Sequence, residues 1–100
     1  MFRYTRTVTI EHGAGIAPAL QTALELAAYV NKTYGFQISV GTELFGATRV
    51  YWYNDIDSLD AVPQFAFKAA ADKIYIGLLE KMKAYVLKGS VQDQVVQLIG

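Results

Sequence analysis

From Phe2 to Glu11 the chain alternates without a break. Even positions carry Phe2, Tyr4, Arg6, Val8 and Ile10; odd positions carry Arg3, Thr5, Thr7, Thr9 and Glu11. Side chains of an extended backbone point alternately to its two faces. This pattern, rich in β-branched residues, therefore predicts a strand with a largely apolar face and a polar one. The apolar face needs a covering layer, which limits the chain to a few layered architectures. His12-Gly13-Ala14-Gly15 ends the strand, and its glycines suit a sharp turn.

Ile16 to Tyr34 changes period. Ile16, Leu20, Ala23, Leu24, Ala27, Val30 and Tyr34 recur at helical spacing, with Gln21, Glu25 and Lys32 opposite. Pro18 is tolerated in a first turn, and Gly35 is a natural stop. Phe36 to Thr42 alternates again, as does Ala47 to Asn54. The short glycine-containing link between them predicts a hairpin. Capping residues place the next helix start near Asp57 or Ser58, with Pro63 in the first turn of the main helix. Asp72 marks a second segment, so one bent helix or two successive helices are both open. Val91 to Ile99 is expected to be the last strand, after the turn Lys88-Gly89-Ser90.

The order is strand, helix, strand, strand, helix, strand. It predicts a single α+β domain over residues 1–100. The expected fold is ferredoxin-like βαββαβ, an antiparallel four-stranded sheet with helices on one face. Phe2, Tyr4, Val8, Ile10, Phe36, Ile38, Val40, Val50 and Trp52 should face the helices. The opposite face would carry Arg3, Thr5, Thr7, Thr9, Gln37, Ser39, Arg49, Tyr51 and Tyr53.

Composition narrows the functional classes. Nine basic residues balance nine acidic ones, which argues against nucleic-acid or anionic-membrane partners. There is no cysteine and one histidine. Thiolate metal sites are excluded, and no metal is expected. No Gly-rich phosphate loop, Ser-His-Asp set or paired-carboxylate spacing appears, so no cofactor is expected. Charged residues are 18%, below the roughly 25% usual for a soluble domain, which points to surface hidden in an oligomer. Arg3 and Arg6 precede no apolar run, and Ala14 to Val30 is too polar to span a bilayer. A soluble, cytoplasmic protein is expected.

The strongest functional signal is the polar sheet face. Arg49, Tyr51 and Tyr53 share it with Thr5 and Thr7 of the neighbouring first strand. Two readings stay open: a pocket for a small aromatic or carboxylate ligand, enclosed between this sheet and a partner's, or a polar homodimer interface whose hydroxyls are satisfied across the sheets. Trp52 has the opposite phase and is read as core. Arg6, the lone charge on the apolar face, is read as a strand-end residue with its stem packed and its head in water. His12 is a candidate base at a pocket mouth, though an exposed turn position suits it better. Asp55, Asp57 and Asp60 are read as capping residues rather than metal ligands.

Three stretches carry a family resemblance. They are Val50-Tyr51-Trp52-Tyr53-Asn54 with Asp57-Ser58-Leu59, then Ala70-Ala71-Asp72-Lys73-Ile74-Tyr75, then Leu87-Lys88-Gly89-Ser90-Val91-Gln92-Asp93. Together they resemble the dimeric α/β-barrel superfamily, and most of all its NIPSNAP-like or stress-responsive barrel-type small proteins. The resemblance implies two ferredoxin-like chains paired sheet to sheet. Members are variously oxygenases, cyclases, haem-degrading enzymes and proteins of unknown role. Haem-binding members place their histidine on a helix, and no helix expected here contains one. Two functional classes follow: a non-catalytic or stress-associated small-molecule binder, or a cofactor-independent oxygenase or cyclase acting on an aromatic or polyketide-like compound.

Overall fold

A computed structural model of the chain describes residues 1–11, 15–43 and 46–100. His12, with the two residues after it, and the middle of the link between the second and third strands lie outside the described residues. The elements are β1 (Phe2–Thr9), α1 (Ile16–Tyr34), β2 (Ser39–Thr42), β3 (Arg49–Ile56), α2 (Ala61–Ala69), α3 (Lys73–Lys83) and β4 (Gln92–Gln97). The sheet order is β2-β3-β1-β4 and every pairing is antiparallel. This is the ferredoxin-like arrangement, with an additional break in the second helical segment.

Register confirms the assignment of faces. Arg6 lies opposite Trp52 and Val8 opposite Val50, while Thr5 opposes Tyr53 and Thr7 opposes Tyr51. Val8, Ile10, Val50, Trp52 and Ile56 are buried against the helices. The facing stripe of α1 is made of small residues: Ala19, Ala23 and Ala27 are buried with Thr22, Leu26 and Val30. Alanines let the helix backbone approach the sheet, and the large side chains of the strands fill the space. The Trp52 indole N–H donates to the Ala23 carbonyl at 3.1 Å. Leu24, which the helical spacing places on the inner face, is 58% exposed. The buried stripe centres on the alanines, about 100° round the axis from it.

Several boundaries differ from the sequence reading. The second helix starts at Ala61, with Asp60 before it, rather than at Asp57 or Ser58. Of the two alternatives left open for the helical run, the structure has two successive helices, because Asp72 caps the second: its carboxylate accepts from the backbone N–H groups of Ile74 and Tyr75 at 3.0 and 3.1 Å. Phe36 to Ile38 precedes β2 instead of belonging to it. Asn31 takes over its backbone pairing, with Oδ1 accepting from Ile38 N at 2.7 Å and Nδ2 donating to Ile38 O at 3.1 Å. Among the described residues, no helix is long and apolar enough to cross a membrane.

Candidate functional site

A cavity of about 660 Å³ lies between the inner face of the sheet and helices α2 and α3. The sheet contributes Tyr4 and Arg6 from β1, Trp52 and Asn54 from β3, and Asp93 from β4; the helices contribute Phe65 and Tyr75, among others. It borders both buried clusters, one around Val8, Trp52 and Met82, the other around Leu26, Val30 and Tyr75. Phe65 anchors α2 at its edge. It stands edge-on to Tyr34, Phe36 and Tyr75, with ring centroids 5.2 to 5.4 Å apart. The Asp72 carboxylate accepts hydrogen bonds from the Tyr29 and Tyr34 hydroxyls, tying the start of α3 to α1.

An ion pair sits in this largely apolar wall. Arg6 and Asp93 are direct cross-strand partners, and Arg6 Nε and Nη2 each donate to an Asp93 oxygen at 2.8 Å. Arg6 Nη2 also reaches the Tyr4 hydroxyl at 3.4 Å. The hydrogen bond from Arg6 holds the Asp93 carboxyl below its usual range. The Tyr4 phenol is raised, mainly by burial. The Tyr75 phenol is raised by burial as well, and its residue is 9% exposed. Among the described residues, neither the Tyr75 hydroxyl nor the Asn54 amide has a hydrogen-bond partner, and both residues line the cavity.

Arg6 is therefore mid-strand rather than at a strand end, and its guanidinium, in a side chain 40% exposed like that of Asp93, is paired rather than free in water. The lone arginine in an apolar phase was the available signal. Its meaning depends on Asp93, whose position beside it needs the register of β4. The outer-face set is also brought together. Thr5, Thr7 and Tyr51 are half-buried, and Tyr53 and Arg49 are exposed. Arg49 Nη1 donates to Glu43 Oε1 at 3.0 Å, and the Tyr51 hydroxyl donates to the same oxygen. That bond raises the Tyr51 phenol and lowers the Glu43 carboxyl. Arg3 makes a two-pronged pair with Asp55 and lies over the Tyr53 ring. No group of three or more His, Asp or Glu that could hold a metal ion occurs among the described residues.

No family model matches the chain, and comparison with curated proteins finds no match. Solved structures do resemble it. A NIPSNAP domain protein from Burkholderia xenovorans superposes with a TM-score of 0.80 at 15% identity, covering 99% of this chain and 95% of that one. The fold is that of NIPSNAP proteins. An antibiotic biosynthesis monooxygenase matches over 100% of both chains at 11% identity, with a TM-score of 0.73. A dimeric ferredoxin-like protein of unknown function from Bacteroides fragilis matches 97% of this chain and 95% of its own at 12% identity, with a TM-score of 0.70.

Proposed function

We propose that this protein binds an apolar, ring-containing small molecule in the cavity between its sheet and helices α2 and α3. The observation that carries the reading is the cavity: about 660 Å³, within the roughly 300–1,000 Å³ usual for small-molecule sites. Its walls are aromatic and aliphatic, with a few converging polar groups. Trp52, the chain's only tryptophan, stands in the wall and reports occupancy. Binding of N-phenyl-1-naphthylamine should quench Trp52 emission and raise the melting temperature. The variant Ala66→Phe, which places a ring at the cavity wall, should weaken both effects. Saturating binding unchanged by that variant would put the probe elsewhere and remove the reading.

The assembly belongs to the same proposal. A homodimer would pair the outer sheet faces, and Arg49, Tyr51, Tyr53, Thr5 and Thr7 would line the space between them as a second ligand-contacting surface. The uncovered tyrosines and threonines of that face support this, as does the Bacteroides fragilis neighbour described as dimeric. Light scattering should give about twice the 11.1 kDa chain mass; a monomer at micromolar concentration would refute it. A cytoplasmic location completes the proposal. The catalytic alternative, a cofactor-independent oxygenase or cyclase, is favoured by the monooxygenase neighbour. It predicts turnover of a bound aromatic or polyketide-like compound, where a binder returns the compound unchanged.

A further inference from the structure

We infer that the cavity selects uncharged ligands that carry a hydroxyl or carbonyl group, and discriminates against carboxylates and amines of the same shape. The inference rests on the binding reading above and adds the chemistry of the ligand.

An arginine in a cavity wall ordinarily suggests a carboxylate or phosphate partner. Here that partner is internal. Both oxygens of Asp93 occupy Arg6 Nε and Nη2 at 2.8 Å, so the two-pronged face of the guanidinium is already used. A ligand carboxylate drawn to Arg6 would also meet the Asp93 carboxylate, while a ligand ammonium drawn to Asp93 would meet Arg6. Lys83, the other charged residue on the wall, donates to Glu80 at 3.0 Å and is largely exposed. The lining is thus close to neutral. An ion entering it would leave water without gaining a full opposite charge.

What the wall still offers is neutral hydrogen bonding. The Tyr75 hydroxyl is in a residue more than nine-tenths buried, and the described residues hold no partner for it. The Asn54 amide stands across the strand pair from Tyr4 and can donate and accept at once. A hydroxyl or carbonyl on an apolar ring system would satisfy these groups without disturbing the Arg6–Asp93 pair.

The test displaces bound N-phenyl-1-naphthylamine with three probes of one ring system near neutral pH: 2-naphthol, 2-naphthoate and 2-naphthylmethylamine. The first is neutral, the second an anion and the third a cation. 2-Naphthol should displace the dye at about tenfold lower concentration than either ion, since an ion must be desolvated without a free counter-charge. Equal displacement by 2-naphthoate, or by the amine, would overturn the inference while leaving the binding reading intact. Failure of the dye to bind at all would overturn the binding reading and this one with it. In Asp93→Asn the guanidinium loses its counter-charge, so 2-naphthoate should gain on 2-naphthol by about tenfold. An unchanged ranking in a folded variant would refute the role given to Asp93. If that variant does not fold, the ranking on the native protein decides.

Discussion

Replacing Trp52 with alanine tests the assignment of the two sheet faces. Trp52 is 8% exposed and packs with Val8, Val50, Ala23 and Met82 in one buried cluster. A tryptophan side chain buries on the order of 150–250 Å². At about 25 cal/mol per Å² that is about 4–6 kcal/mol of transfer free energy, part of which alanine retains. The indole N–H bond to Ala23 O adds about 0.5–1.5 kcal/mol. The indole also borders the cavity, so its loss enlarges an existing space and does not create a wholly new void. An expected cost of about 3–5 kcal/mol agrees with measured aromatic-to-alanine changes. Domains of this size have about 5–15 kcal/mol in total, so the variant should fold but melt far lower. Urea titration followed by far-ultraviolet circular dichroism reads the change without needing tryptophan fluorescence. Tyr51→Phe, on the outer face, is the comparison. It removes one half-buried hydroxyl bond, to Glu43, and should cost at most about 0.5–1.5 kcal/mol. A Trp52→Ala cost below about 1 kcal/mol, or a Tyr51→Phe cost equal to it, would refute the assignment of faces.

Further outcomes follow from the helix junctions. The Tyr34 phenol, held protonated by its bond to Asp72, is pushed up to about 12. A phenol raised in the folded state contributes stability that is complete below its unfolded value near 10 and is lost as pH rises toward 12. Alkaline melting curves should fall across that window in the native protein and less steeply in Tyr34→Phe; identical slopes would remove the link. The Asp72 carboxyl is lowered, chiefly by the same bond. Its contribution is present above the ordinary carboxylate range and lost as pH falls through its folded value. Asp72→Asn should therefore be less stable than the native protein at neutral pH and closer to it in acid. Asn31→Ala should speed hydrogen exchange at the Ile38 amide, which Asn31 Oδ1 holds, while leaving the buried Val50 amide protected.

Much of the fold is local in origin and was legible for that reason. The alternation of Phe2 to Thr9 and of Val50 to Tyr53 is a property of extended backbone, so the residues of each face follow from their parity alone. Asp72 caps its own helix through atoms two and three residues on, and sequence shows such a signal directly. The outer-face set of Thr5, Thr7, Arg49, Tyr51 and Tyr53 needed only parity and strand order. Other features join parts of the chain that have no local relation. Whether Leu24 or Leu26 turns inward depends on where the alanine stripe of α1 settles against Trp52. Phe36 leaves the ladder because a helix asparagine satisfies the backbone beside it. Arg6 changes from an apparent strand-end charge into half of an ion pair because β4 brings Asp93 opposite it from 87 residues away. The cavity depends most on tertiary structure, since it is the space left where α2, held by the rings around Phe65, and α3, held by Asp72, meet the sheet. Periodicity determines which side chains point toward that space. Only the docking of the helices decides that it remains open.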